Sequence, residues 1–133
     1  MTAPNEETGI VRPCMILAHA DAAFSALILQ AFRRLGWDVY QARSGPQARR
    51  LARMLTPDLV VLDTDLPEES GWLTCDKLLQ ELPQTRVFLV GGHGDAWSEE
   101  FAAFVGAAAL VSPSGGVQAL VHRVRGMPLP AAG

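Results

Sequence analysis

The segment VVLDTDLPEESGW, residues 60–72, decides the fold and locates the candidate site. It starts with a continuous apolar run, which is typical of a strand covered on both faces. The run ends in Asp63 and Asp65, and the proline and glycine that follow favour a loop. Two interpretations remain open at this point. The strand delivers an acid to a working site at its end, or the acids mark where the chain meets water.

Four further apolar runs resemble the one before Asp63, and segments with helical periodicity separate them. Because parallel strands need crossover connections, which helices supply, this alternation predicts an α/β fold. We expect a three-layer sandwich in which helices cover both faces of a five-stranded parallel sheet. The five predicted strands cover residues 15–18, 39–42, 59–62, 87–90 and 108–111.

Particular residues predict where the helices begin and end. Asp21 is a candidate N-cap for the first helix, and Gly36 a candidate residue just past its end. Pro46 can open the second helix, and Pro83 stops the third. Ser98 is a candidate cap for the fourth helix.

The composition is that of one globular domain. The chain has 133 residues, of which 49% are hydrophobic and 19% charged, with a net charge of −3. This balance argues against nucleic-acid binding. Arg49, Arg50 and Arg53 form a basic patch that we interpret as a solvated helix face. Cys14 and Cys75 are expected to be reduced thiols of a cytoplasmic protein. No apolar run is long enough to span a membrane.

Three segments divide the chain. Residues 1–12 are polar and acidic, and we predict a flexible N-terminal leader. Residues 13–126 form the predicted domain. Residues 127–133 contain prolines that cannot continue a helix, so we predict a flexible C-terminal tail.

Three stretches of the sequence resemble the receiver domain of response regulators, a CheY-like, flavodoxin-like (βα)5 fold. PDLVVLDTDLPEESGW is similar to the phosphoacceptor strand and loop, and LGWDVYQARSGPQA to the second strand and the turn into the second helix. VGAAALVSPSGGVQAL is similar to the fifth strand, its cis-proline loop and the last helix. The resemblance covers residues 13–126 and implies the strand order 2-1-3-4-5. It also implies signal transduction by aspartyl phosphorylation within a two-component system.

The resemblance implies a role for each position at the strand ends. Asp63 matches the phosphoacceptor, and Asp65 would offer its backbone carbonyl to Mg²⁺. The acidic pair that holds the metal in this family falls on His19 and Ala20. The remaining family positions also carry other residues here: Ser112 at the lysine, Gly91 at the switching hydroxyl, and Ala109 at the aromatic residue.

These departures weaken the expected metal site. Mg²⁺ requires oxygen ligands, Ala20 offers none, and His19 is a poor ligand for so hard a cation. Asp21, Asp63 and Asp65 are weak metal candidates. Asp21 could turn inward and replace the missing acid, but it is also the expected helix cap. We therefore expect no cofactor, with weak Mg²⁺ binding as the alternative.

His19 and Asp63 are expected on adjacent strands at the same edge of the sheet. We hypothesise that they approach closely and that the imidazole gives Asp63 a hydrogen bond or, when protonated, a countercharge. The alternative is an exposed histidine with no partner. Trp72 and Trp97 begin the third and fourth helices, where each could anchor a partner or simply pack.

We interpret the chain as an atypical receiver, or pseudo-receiver, that is not an enzyme and acts by binding another signalling protein. By family analogy the contact surface is the fourth helix, fifth strand and fifth helix, and homodimerisation through it is a further expectation. The alternative is a functional receiver that a histidine kinase phosphorylates at Asp63. A third hypothesis is an enzyme or small-ligand binder that uses the altered pocket. The chain contains no output domain, so it works alone or is part of a longer protein.

Overall fold

The computed structural model describes residues 11–92 and 95–128. Within them, strands and helices alternate as the sequence predicts. The strands are β1 (Cys14–Ala18), β2 (Asp38–Gln41), β3 (Leu59–Asp63), β4 (Arg86–Val90) and β5 (Ala109–Val111). The helices are α1 (Ala22–Arg34), α2 (Gly45–Leu55), α3 (Gly71–Glu81), α4 (Ala96–Phe104) and α5 (Gly116–Arg125). A short 3-10 turn, Pro113–Gly115, joins β5 to α5.

The strands form one parallel sheet in the order β2-β1-β3-β4-β5, which confirms the predicted order. β3 lies at the centre, and all five of its residues are buried. Its partners place Ala18 beside Leu62 and Val90 beside Asp63, so the carboxyl ends of β1, β3 and β4 lie together. The residues that follow these three strands therefore share one edge of the sheet.

Two hydrophobic cores cover the two faces of the sheet. On one face, α1 and α5 pack through Phe32 and Leu120 against residues such as Val61. On the other, α2, α3 and α4 pack through residues such as Ala52 and Leu78. The predicted three-layer sandwich is thus confirmed. The continuous apolar run of β3 follows from this burial on both sides.

Most of the predicted helix boundaries are found in the structure. Asp21 caps α1, where its carboxylate accepts the N–H of Phe24 at 3.0 Å. Gly36 follows the end of α1 with a φ of +94°, and Pro46 lies in the first turn of α2. The prediction for α4 was wrong. Asp95 is its cap and accepts the N–H of Ser98 at 2.8 Å, while Ser98 itself is buried in the first turn.

The basic patch is solvated at Arg50 and Arg53, as predicted, but two of its three arginines form ion pairs. Arg49 pairs with Glu69 at 3.1 Å, and Arg53 pairs with Glu81 at 2.8 Å. Only Arg50 of the three has no ion pair within the described residues and lies exposed. The sequence showed the cations along α2 but could not show the acids that the third helix and its loop place opposite them.

The ends of the chain are only partly covered by the structure. Of the predicted leader and tail, residues 1–10 and 129–133 lie outside the described residues. Both segments stay predictions. No helix in ranges 11–92 and 95–128 combines the length and apolar character that a bilayer crossing requires.

Candidate functional site

Asp63 is the last residue of β3, and its carboxylate is held by two backbone N–H groups. Oδ2 accepts the N–H of Ala20 at 2.9 Å, and Oδ1 accepts the N–H of Asp65 at 2.9 Å. The residue is only 7% exposed. Charged hydrogen bonds of this kind compensate part of the desolvation of a buried carboxylate. The side chain is therefore fixed in one orientation at the sheet edge.

The loop after Asp63 folds back closely on the strand. The N–H of Gly71 donates to the carbonyl of Thr64 at 3.0 Å, and a Cβ at residue 71 would overlap the backbone carbonyl of Asp63. Only glycine can approach the strand this closely. The glycine that the sequence places eight residues after Asp63 thus sets where α3 begins.

A buried ion-pair network holds the same loop from the other side. The carboxylate of Glu69, itself 7% exposed, accepts two hydrogen bonds from Arg49 at 3.1 Å each. It also accepts bonds from the Thr74 hydroxyl at 2.7 Å and the Lys77 ammonium at 3.2 Å. Burial alone would raise the pKa of Glu69, but these donors outweigh it and hold the pKa below its usual value. The network anchors the loop to α2 and α3.

His19 approaches Asp63, but not in the way that the sequence suggested. Its Nδ1 lies 3.6 Å from Asp63 Oδ2, beyond hydrogen-bonding distance. The same Nδ1 accepts the backbone N–H of Asp21 at 3.0 Å, which requires a lone pair on that nitrogen. The ring also packs edge-on against Phe24, with centroids 5.0 Å apart. The predicted proximity is confirmed, whereas the predicted hydrogen bond from the imidazole to Asp63 is wrong in this arrangement.

Few side-chain oxygens around Asp63 are placed to hold Mg²⁺. Asp21 uses Oδ1 to cap α1, and Ala20 presents a backbone N–H to Asp63 where a metal-binding acid would present an oxygen. Within residues 11–92 and 95–128, no three side chains of the His, Cys, Asp and Glu types converge to hold an ion. The donor set is therefore a poor match to the octahedral oxygen shell that Mg²⁺ requires.

Position 91 has no side chain, and the structure shows which atom lies there instead. Gly91 has a φ of +144°, and a Cβ added to it would overlap Oγ1 of Thr64. Thr64 follows Asp63 directly and is only 3% exposed. Within the described part of the chain its hydroxyl has no hydrogen-bond partner. A hydroxyl thus occupies the space next to residue 91, and it comes from the residue that follows β3.

Ser112 and Ala109 complete the positions singled out in the sequence. The Ser112 hydroxyl lies 2.8 Å from that of Ser114 and accepts its N–H at 3.3 Å, so it caps the 3-10 turn. Ala109 is buried on β5. The resemblance implied a cis-proline loop, but the peptide bond before Pro113 is trans. Ser112 therefore has a local structural partner, and it carries no positive charge.

A cavity of about 410 Å³ opens at this edge of the sheet. His19, Asp63 and Thr64 line one part of it, and the indoles of Trp72 and Trp97 line another. Trp97 is 64% exposed and stacks on Phe101 with centroids 5.2 Å apart. Ser98 also lines the cavity although only 2% of the residue is exposed. Trp97 therefore packs with one face and leaves the rest of its surface open, where it could also anchor a partner.

Sequence reasoning missed Thr64, Ser98 and Glu69. Thr64 is a polar residue directly after a buried strand, which was the available signal, and Ser98 was considered only as a helix cap. Glu69 lay in an acidic loop, PEES, that looked solvated. Its burial depends on Arg49, which lies 20 residues earlier, so no local pattern could reveal it.

The two cysteines are free and lie away from the cavity. Burial, and then the nearby carboxylates of Asp58 and Asp38, raise the pKa of the Cys14 thiol to about 11. Burial and the carboxylate of Asp76 raise the pKa of Cys75 to about 12. Both thiols are therefore protonated and unreactive near neutral pH.

Comparisons with known proteins agree with this geometry. A family model described as "Response regulator receiver domain" matches residues 16–125. The chemotaxis protein CheY4 of Vibrio cholerae superposes with a TM-score of 0.82 at 12% identity, covering 89% of this chain and 100% of that one. At this identity the superposition shows the fold alone.

Two curated proteins match at higher identity over shorter segments. The polar-differentiation response regulator DivK of Brucella ovis is 37% identical over 78 residues, covering 52% of this chain and 63% of DivK. The DNA-binding dual master transcriptional regulator RpaA of Synechocystis sp. is 35% identical over 69 residues, covering 52% of this chain and 29% of RpaA. The matched segments thus cover less than two thirds of the length of either relative.

Proposed function

The chain belongs to the response regulator receiver domain family, and we propose that it is a pseudo-receiver, which signals through protein contacts without Mg²⁺-dependent phosphorylation of Asp63. A role in two-component signalling follows from the family. The observation that carries the finer proposal is the set of contacts made by the Asp63 carboxylate. Both of its oxygens accept backbone N–H groups, and within residues 11–92 and 95–128 no cluster of three His, Cys, Asp or Glu side chains that could hold an ion includes it.

The charge balance of the site supports the proposal. A phosphorylated Asp63 would carry about two negative charges beside Asp21 and Asp65, where the carboxylate carries one. No lysine or arginine lines the cavity in the part of the chain that the structure describes. The nearby cations Arg49 and Lys77 are bound to Glu69. A phosphorylated Asp63 would thus lack the cation that stabilises such a group.

The expected surface for a partner is the one formed by α4, β5 and α5. On α4, Phe101 stacks between Trp97 and Phe104, and Phe104 is 82% exposed. Exposed aromatic side chains of this kind are the usual anchors of protein interfaces. We propose that a signalling protein contacts this face, and homodimerisation through it is the alternative. The proposal places the protein in the cytoplasm, where its free thiols would remain reduced.

The test is a phosphorylation assay on the intact chain. The protein is incubated with Mg²⁺ and either acetyl phosphate or beryllofluoride, and intact mass and tryptophan fluorescence are recorded. We expect no phosphoryl adduct and no saturable fluorescence change, while an active receiver in parallel confirms the reagents. A saturable response that disappears in Asp63→Asn would overturn the proposal.

A gain-of-function variant sharpens this experiment. Ala20→Asp combined with Ser112→Lys restores an acid for the metal and a cation for the phosphoryl group. We expect this double variant to gain a Mg²⁺-dependent response that the native chain lacks. If it responds no better than the native chain although both are folded, the missing charges are not the cause of inactivity.

The alternative function is a working receiver phosphorylated at Asp63 by a histidine kinase. One observation favours it: Asp63 ends β3 and its side chain lines the open cavity, as a phosphoacceptor would. The phosphorylation assay separates the two functions directly.

A further inference from the structure

Two hydroxyl groups in the cavity are unexplained by the pseudo-receiver proposal. Thr64 and Ser98 are 3% and 2% exposed, and both line the cavity. Neither hydroxyl has a hydrogen-bond partner within residues 11–92 and 95–128. Nη1 of Arg86 is the one fully buried side-chain nitrogen or oxygen without a partner in those residues, so each hydroxyl oxygen keeps some accessible surface. Buried hydroxyls of native proteins are usually paired, so this cavity offers acceptors to a ligand.

The charges of the cavity are one-sided. Asp21, Asp63 and Asp65 line it, and none of the described residues that line it is a lysine or an arginine. His19 cannot donate from Nδ1 to Asp63 in this arrangement, because that nitrogen accepts from Asp21. The imidazole of His19, whose Nδ1 lies 3.6 Å from Oδ2, is the one basic side chain among the described residues that lines the cavity with Asp63. A positively charged ligand would complete the site.

Aromatic side chains form the other wall. Trp72 and Trp97 both contact Phe101, with centroid distances of 5.1 and 5.2 Å. Phe101 covers one face of the Trp97 indole at an interplanar angle of 6°. The large exposed area of Trp97 therefore belongs to its other face and edges. Tryptophan faces attract organic cations, and planar cations stack on them.

We propose that the cavity binds a guanidinium group, such as the side chain of an arginine. A guanidinium carries five N–H donors in one plane, so it can bond Asp63 and both hydroxyls while it stacks on Trp97. A lysine ammonium lacks the plane. The inference deepens the proposed function, since it rests on an unphosphorylated Asp63 and identifies the chemistry of a partner residue.

The test is an NMR titration of the intact, isotope-labelled chain with N-acetylarginine methylamide. We expect saturable shifts of the Trp97 indole N–H and of the Ala20 and Asp65 amides, whose protons bond Asp63. The citrulline counterpart has the same shape without the charge, and we expect it to bind at least about tenfold more weakly. The lysine counterpart should also bind more weakly. Equal binding of the citrulline or lysine compound would overturn the proposal.

Matched variants locate the site. Asp63→Asn and Trp97→Ala should each weaken binding about tenfold or more. Asp76→Asn removes an acid outside the cavity, and Tyr40→Ala removes an exposed aromatic ring on β2 that does not line the cavity. Both controls should bind as the native chain does. Because Trp97 is largely exposed, its variant is expected to fold even if Asp63→Asn does not. Unchanged binding by Trp97→Ala would contradict the proposed site.

The source of the guanidinium is resolved by a second compound. Free arginine carries an additional ammonium and carboxylate, whereas the blocked compound mimics an arginine within a peptide chain. Tighter binding of the blocked compound supports a protein partner, and tighter binding of free arginine supports a small-molecule ligand of the same chemistry. Neither result depends on the phosphorylation assay, so the two proposals can fail separately.

Discussion

Thr64 and Gly91 follow the neighbouring strands β3 and β4, and Oγ1 of Thr64 occupies the space where a side chain at residue 91 would begin. The N–H of Thr64 donates to the carbonyl of Val90 at 3.0 Å, which holds the two strand ends together. The absence of a side chain at residue 91 is therefore coupled to the presence of a hydroxyl at residue 64.

This relationship predicts that Gly91→Ala is destabilising. The φ of +144° is unfavourable for a residue with a Cβ, and the overlap with Thr64 adds to it. We expect a loss of about 1–3 kcal/mol from the backbone alone. Urea denaturation of the single variants and of Gly91→Ala with Thr64→Ala measures the coupling. We expect Gly91→Ala to lower the free energy of unfolding by less when Thr64 is already alanine. If the two effects simply add, residue 91 and the Thr64 hydroxyl do not compete for the same space.

The buried network around Glu69 predicts a large loss of stability in Glu69→Ala. The change leaves Arg49 and Lys77 without their common partner and frees the loop that follows Asp63. We expect the free energy of unfolding to fall by about 3 kcal/mol. Glu81→Ala is the matched control, since its pair with Arg53 is exposed and is expected to contribute about 1 kcal/mol or less. Chemical denaturation compares the two, and equal losses would argue against the network.

The lowered pKa of Glu69 predicts how the free energy of unfolding depends on pH. Its folded pKa lies below the ordinary value of 4.5, so its ionised form stabilises the fold. That contribution is complete above pH 4.5 and is lost as the pH falls through the folded pKa. We expect the difference in unfolding free energy between the native chain and Glu69→Gln to shrink below pH 4.5. A difference that stays constant down to the acid transition would show that the charge of Glu69 is not responsible.

Asp21 is predicted to act as a helix cap and not as a metal ligand. Asp21→Ala should cost about 1 kcal/mol of stability, whereas Asp21→Ser keeps an acceptor for the Phe24 N–H and should cost less. Thermal unfolding with and without Mg²⁺ measures both effects. If Mg²⁺ stabilised the native chain but neither variant, Asp21 would be holding the ion.

The cysteines predict slow thiol chemistry in the folded protein. Cys14 and Cys75 have pKa values of about 11 and about 12, against an ordinary 9.0. At pH 8 the rate of reaction with Ellman's reagent should be limited by the rate of unfolding. In denaturant both thiols should react at once. Because folding raises both pKa values, stability should decline as the pH rises from 9 towards 11. Cys14→Ser with Cys75→Ala should flatten that decline, and fast labelling of the native chain would contradict the burial.

The sequence predicted the elements of the fold more fully than the contacts of the site. The continuous apolar run before Asp63 indicated a strand buried on both faces, and the glycine at residue 36 indicated the end of a helix. Ser98 shows the limit of local patterns. A serine before two acids suggested a cap, but Asp95 lies three residues earlier and takes that position, which turns Ser98 inward to the cavity.

His19 and Glu69 show the same limit for long-range contacts. Strand order placed His19 beside Asp63, but the hydrogen bond of Nδ1 depended on the turn into α1, which brings the Asp21 N–H to 3.0 Å while the Asp63 carboxylate stays at 3.6 Å. The Arg49 side chain reaches Glu69 only because the sheet places α2 beside the loop before α3.

The sequence by itself determined the alternation of strands and helices, the position of Asp63 at a strand end, and the absence of acidic and basic side chains at residues 20 and 112. These properties depend on residue type and local periodicity. Only the tertiary structure decided which donors hold Asp63, that Thr64 lies where residue 91 has no side chain, and that Trp97 and Ser98 border the same cavity. Those relationships join residues far apart in the chain, and packing of the sheet sets the distances between them.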